Sequence, residues 1–374
     1  MSSIPTSMRA LVQTAPGKAS VQVVPVPKVN FGTVLIKVEA VLINSNFQAI
    51  FNAAMPLFQL PYPVIPGTNA VGRVITAGPD ATVLSEGKLV ITSTFIRARD
   101  DTSNQVLWGI TTGETPEENR LYSSMARNSV CAEYALAPME NTYILDETRF
   151  LGSPLDGGLG LKTPDLLQLV FDAIVYAGLR SINLQAGERI IVTPATGQFT
   201  AAAVDVAVAM GARVIAASRN EEKLATLKQI HSEIDTVQLT GDLEFDKKAL
   251  AAFGVVDAVI DISPAQATGS NNIAAAASVL RRYGRISLMG ACHDQAIPIP
   301  YMAAVAKSLT IYPQFMYRRE DQRGIIKLAE SGLLKLGEKG GHNIVATYGL
   351  DELDAALDKA VETSSPGNMV ILKP

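Results

Sequence analysis

Apolar positions in this chain fall into short blocks, and the blocks change character near residue 160. Before it, β-branched runs at 9–13, 21–24, 34–40, 71–76, 88–94 and 132–137 are broken by punctuation such as Pro16-Gly17 and the prolines at 25 and 27. Short strands at that spacing predict a small, barrel-like β domain. Residues 97–129 are more polar and carry turns at Thr112-Gly113 and Thr115-Pro116. They read as a solvated surface excursion, with an active-site lid as the alternative. Beyond 187 strand and helix patterns alternate, with strands at 189–193, 213–217, 256–262, 285–289 and 308–315 and helices at 200–210, 222–230, 243–253 and 271–280. Alternation of this kind predicts a doubly wound parallel sheet. Helical patterns at 323–331 and 350–361 and a short strand at 369–372 close the chain. The expected domains are 1–160, 161–317 and a C-terminal return over 318–374.

Residues 187–223 organise the second part. A buried-strand pattern at 189–193 leads into the small-residue turn Ala195, Thr196, Gly197, Gln198, Phe199, Thr200, then an Ala- and Val-rich helix that Gly211 stops. Strand, tight turn, helix and second strand form the unit that holds a pyrophosphate at a helix N-terminus. A full G-x-G-x-x-G turn has three glycines, whereas this one keeps only Gly197. Thr200 at the third position is expected to cost room or to shift the helix start, and the turn alone suits an unliganded βαβ unit equally well. The end of the second strand decides between them. An NAD site wants a carboxylate there, and this chain has Ser218, Arg219 and, a little later, Lys223. A hydroxyl and two cations suit a 2′-phosphate. Glu221 and Glu222 oppose this, although acids in the first turn of a helix also complement its dipole. The expected cofactor is NADP(H).

Composition narrows the class. The chain has 374 residues, 48% hydrophobic and 18% charged, with net charge −4. Its length suits two domains, and its charge argues against nucleic acid or an anionic membrane as partner. No apolar run reaches a membrane span, and residues 1–8 lack the plan of a signal peptide. Two cysteines, Cys131 and Cys292, fit a reducing cytoplasm. The apolar strand at 308–315 is expected either to pair with a second subunit or to be a covered edge.

Particular residues then make the chain resemble the medium-chain dehydrogenase/reductase superfamily over almost its whole length. They are residues 37–40, Pro66-Gly67-Thr68-Asn69-Ala70-Val71-Gly72, Ala132-Glu133-Tyr134, Gly187-Glu188-Arg189, Ala195-Thr196-Gly197, Met210-Gly211-Ala212, Gly284-Arg285-Ile286 and Gly290. The resemblance implies a GroES-like catalytic domain plus a Rossmann domain, with the nicotinamide in the cleft between them and Gly290 at the cofactor. Departures from the zinc-dependent branch matter for mechanism. Asn44 stands where that branch has a Cys, Thr68-Asn69 where it has His-Glu, and its third ligand position falls near Asp165. Asn and Thr are poor zinc ligands, residues 97–129 contain no cysteine, and His231, His293 and His342 are far apart and read as surface or packing residues.

The chain therefore resembles the zinc-independent quinone- and enoyl-reductase branches, where Asn at the Asn44 position faces the nicotinamide ribose. A conjugated C=C suits such a site because charge delocalises onto a remote oxygen, whereas an isolated ketone gains more from a Lewis acid. The expected substrate is a small apolar enone, quinone or enoyl compound. A carbonyl or imine reductase, or a non-redox isomerase, is the alternative. Asn368 reaches the same cofactor or else simply closes its turn, and Asn44 has that same turn alternative. Phe47, Ile50, Phe51 and Trp108 are the expected pocket lining, with core packing as the competing reading. Cys131 reads as a buried hydrophobe, and no general acid stands out among the ten tyrosines.

Overall fold

The computed structural model describes residues 4–55, 60–290 and 298–374. They form two compact units, 1–170 with 343–364 and 368–374, and 171–342 with 365–367. The division thus falls at 170 and 342, against the expected 160 and 317. The helix Arg319–Glu330, expected in the return, packs within the second unit. Its amphipathic stripe buries Ile325, Ile326 and Ala329 there.

The first unit holds β1 (Ser7–Ala15), β2 (Lys18–Pro25), β3 (Thr33–Ile43), β4 (Ala70–Ala77), β5 (Leu89–Thr92), β6 (Phe95–Arg97), β7 (Gln105–Leu107), β8 (Tyr134–Pro138) and β9 (Thr142–Ile144). Two late strands, β16 (Asn343–Gly349) and β17 (Asn368–Lys373), complete its main sheet in the order β16-β17-β3-β4-β5-β9, with β8 also on β3. The C-terminal return is a strand insertion: β17 lies antiparallel on β3, with Val370 opposite Ile43. Among the described residues no pair closes this path into a ring, so the barrel-like expectation is met by an open sheet.

Residues 97–129 are a solvated excursion only in part, exposed at 99–103 and 114–117 but buried at 106–110, 122 and 126. The hairpin β6-β7 is followed by the helix Pro116–Leu121, whose cap Thr115 accepts from the Glu118 amide, and by a π-helical turn, Tyr122–Ala126. Ile96, Val106, Trp108, Tyr122, Ala126 and Val130 all enter the first unit's core. Val106 and Trp108 are two residues apart and Tyr122, Ala126 and Val130 four apart, runs too short to stand out among their polar neighbours.

The second unit is a six-stranded, wholly parallel sheet of β10 (Arg189–Thr193), β11 (Arg213–Ser218), β12 (Asp235–Gln238), β13 (Val256–Asp261), β14 (Leu280–Leu288) and β15 (Thr310–Pro313), ordered β12-β11-β10-β13-β14-β15. Strands buried on both faces need continuous apolar runs, which is why Ile190, Ile191, Val192, Val259 and Ile260 are wholly buried. The helix Gln198–Ala209 links β10 to β11, and Gly211, at φ +83°, makes the left-handed turn that ends it. Strand order reverses between β10 and β13, the point at which open α/β sheets bind ligands beyond their carboxyl ends.

Candidate cofactor site

At the carboxyl end of β10, the Ala195 amide donates to the Ala217 carbonyl at 2.9 Å and ties the turn to β11. Thr196 and Ser218 hydroxyls lie 2.6 Å apart, so the turn and the end of β11 share one hydroxyl pair. The helix begins at once, with Gly197 as its cap and Gln198 and Phe199 as its first two residues. The expected cost of Thr200 does not arise. Its Oγ1 accepts from the Gly197 amide at 2.7 Å and donates to the Gly197 carbonyl at 3.1 Å, so the side chain caps the helix start. Phe199 meets Phe171 edge-on, with ring centroids 4.8 Å apart. The first turn of a helix leaves amides without intrahelical partners, and this helix is 12 residues long.

Past Ser218 the chain shows Arg219 exposed, then Asn220, whose Oδ1 accepts from the Lys223 amide at 2.8 Å and caps the helix Glu221–Ile230. Ser218, Arg219 and Lys223 are thus gathered at one strand end. On the other side of the switch point, Thr193 of β10 is in register with Asp261 of β13, and the Met289 amide donates to the Asp261 carbonyl at 2.8 Å. Gly290 is exposed, yet a Cβ on it would lie 2.7 Å from the Ser263 carbonyl oxygen. Thr193 Oγ1 is buried and without a partner among the described residues. A helix start, paired hydroxyls and a cation at the neighbouring strand end together fit a dinucleotide, while Gly290 is required by the close approach of the Ser263 backbone.

Sequence reasoning passed over Asp261, Asn220 and Thr193. Asp261 left one signal, a carboxylate closing an otherwise apolar run. It is 7% exposed, and its loss of solvent pushes the carboxyl above its ordinary range against hydrogen bonds from Ser263.

Asn44 and Asn368 belong to the first unit. Asn44 ends β3 in a turn: its Oδ1 accepts from the Asn46 amide at 3.0 Å and its carbonyl from the Phe47 amide at 3.0 Å. Asn368 donates from Nδ2 to the Thr363 carbonyl at 3.2 Å within its own turn. The residues weighed as pocket lining or core are all packed in the first unit. Phe47, Phe51 and Trp108 are core side chains of the first unit. Trp108 is fully buried, and its Nε1 donates to the Asn128 carbonyl at 2.7 Å, so even its polar atom is satisfied internally. Ile50 lies on the same short helix and is buried too.

At the positions where the zinc branch keeps ligands, Asn69 is buried with Nδ2 donating to the Thr92 carbonyl at 2.7 Å, Thr68 is buried, and Asp165 accepts from the Lys162 amide at 2.8 Å as a helix cap. Among the described residues no three His, Cys, Asp or Glu side chains group as a metal site. His231 and His342 are not independent packing residues. Both meet Asp205, His231 Nε2 at 2.6 Å from Oδ1 and His342 Nε2 at 3.2 Å from Oδ2. Burial opposes ionisation of Asp205, but the two histidine hydrogen bonds prevail and hold its carboxyl below the usual range. Cys131 is buried, and desolvation pushes its thiol up to about 12, far from a nucleophile. Cys292 and His293 lie outside the described residues.

Two family models match, the alcohol dehydrogenase GroES-like domain over residues 30–147 and the zinc-binding dehydrogenase over residues 200–331. The chain is 24% identical over 352 residues to the acryloyl-coenzyme A reductase of Metallosphaera sedula, covering 92% of this chain and 93% of that one. It is 28% identical over 331 residues to an alcohol dehydrogenase of Rhizobium meliloti, covering 87% and 89%. Among solved structures, a zinc-binding dehydrogenase of Sinorhizobium meliloti bound to NADP superposes with TM-score 0.75 at 18% identity, covering 99% of this chain and all of that one.

Proposed function

The chain belongs to the medium-chain dehydrogenase/reductase superfamily and is an oxidoreductase, and from that premise we propose that it reduces a conjugated C=C bond with NADPH at a site without zinc. The observation that carries this reading is the side-chain chemistry at the ligand positions. Asn44, Thr68 and Asn69 offer a turn carboxamide, a hydroxyl and a second carboxamide, which leaves Asp165, engaged by the Lys162 amide, as the one anionic donor where a catalytic zinc needs three protein ligands. The acryloyl group of the Metallosphaera enzyme's substrate is a conjugated thioester, which supports the same class of acceptor.

Bound NADPH would supply the hydride. The chain's own residues have separate tasks. Amides of the helix start at Gln198 and Phe199 attract the pyrophosphate and Gly197 lets backbone approach it, while Gly290 lies beside Asp261 at the edge the other half of the cofactor would cross. Thr196 and Ser218 hydroxyls, with Arg219 and Lys223, receive a 2′-phosphate. A carbonyl reductase is the second reading, favoured by the Rhizobium relative.

The test is a panel of crotonyl and acryloyl thioesters, quinones and enones against saturated ketones, each with NADPH. Turnover confined to the conjugated members and unchanged by chelator is expected. Turnover of saturated ketones that a chelator abolishes would overturn the reading. NADPH is expected to bind at least about tenfold tighter than NADH, roughly 1.4 kcal/mol. Arg219→Asp should erase that margin in a binding titration, and an unchanged ratio would refute the assignment of this strand end.

A homodimer through β15 belongs to the same proposal. Among the described residues the strand pairs only with β14, and Ile311 and Tyr312 stay exposed on it. Exposed apolar edges invite strand pairing. Ile311→Lys is expected to convert a dimer to a monomer in light scattering, and a wild-type monomer would refute it. No helix among the described residues is long and apolar enough to cross a membrane.

A further inference from the structure

Asp261 is a carboxylate that nothing described so far employs. It ends β13 in register with Thr193 of β10, at the point where strand order reverses. It is buried, and among the described residues the groups that bear on its ionisation are its own burial and Ser263, with no cation between them. The Ser263 hydroxyl donates to Oδ1 at 2.6 Å and fixes the side chain, while Oδ2 faces the backbone of Gly290, 3.2 Å from where a Cβ would sit. A buried carboxylate without a cation is expensive, and one held in a single orientation at a ligand-binding edge marks a functional position.

Geometry says which part of a dinucleotide would meet it. If the 2′-phosphate lies at the end of β11 and the pyrophosphate at the helix after β10, the remaining half must extend over the ends of β13 and β14. The nicotinamide ring is a cation when oxidised and neutral when reduced, so a nearby negative charge separates the two states by Coulomb attraction. We propose that Asp261, oriented by Ser263, is the carboxylate that faces the nicotinamide half of the cofactor and selectively stabilises its oxidised form, biasing the bound couple toward hydride donation. This rests on the dinucleotide reading above and adds to it a residue that sets the balance between the cofactor's two redox states.

Dissociation constants of NADP+ and NADPH, and of NAD+ and NADH, measured by calorimetry or ligand fluorescence, test it without turnover. In Asp261→Asn the ratio of oxidised to reduced dissociation constants should rise at least about fivefold, a linkage effect of the lost charge. Asp261→Ser, also charge-free, should do the same and stands in if the first variant does not fold. Asp261→Glu keeps the charge and should stay within about twofold of wild type, a contrast that a merely structural role would not produce. A ratio unchanged in a folded charge-free variant overturns the proposal while leaving the cofactor reading intact. Wild-type protein that binds none of the four dinucleotides overturns both.

Discussion

Trp108→Ala should lower the stability of the first unit by about 3–5 kcal/mol, the range for truncating a large aromatic in a packed core. The indole is fully buried, its Nε1 donates to the Asn128 carbonyl at 2.7 Å, and its own amide donates to the Thr94 carbonyl at 2.7 Å. Truncation would empty a volume lined by side chains of the same core cluster, Phe47 and Tyr122 among its members, and would remove the hydrogen bond to the Asn128 carbonyl. Urea unfolding with unchanged slope and a shifted midpoint is the measurement. Stability within about 1 kcal/mol of wild type, together with a raised KM, would return Trp108 to the substrate pocket.

Gly290→Val should weaken dinucleotide binding about 100-fold or more, roughly 2.7 kcal/mol. The obstacle is backbone. A Cβ at 290 would meet the Ser263 oxygen at 2.7 Å and the Ser263 nitrogen at 3.0 Å, atoms that cannot rotate away. The ends of β13 and β14 must then separate, and that displacement carries Asp261 with it, because the Met289 amide holds the Asp261 carbonyl. Gly290→Ala is expected to show part of the loss. Wild-type affinity in the valine variant would mean that the cofactor does not use this edge of the sheet.

These two residues also show how legibility varied along the chain. The strand at 189–193 was readable because a parallel strand buried on both faces must be continuously apolar, and β10 has those same bounds. Gly211 marked the helix end correctly, since only a left-handed turn was needed there. Trp108 was open between pocket and core: it stands in a short apolar run, Val106-Leu107-Trp108-Gly109-Ile110, inside a polar segment, and its environment comes from β6, β7 and the π-helical turn folding over it. The bounds of the strand at 285–289 were less well read, because β14 begins at Leu280, where a register shift against β13 lies.

Local order thus determined the two kinds of domain and the nucleotide-type turn with its hydroxyl-and-cation neighbour, since strand composition, turn chemistry and helix stops act between residues close in the chain. Folding at long range decided the rest. It brought Asp205, His231 and His342 together across 137 residues, set Asp261 beside Thr193, and returned β17 to β3 across the whole length of the chain. Pairings of that kind depend on which surfaces exclude water together, and no local pattern records them.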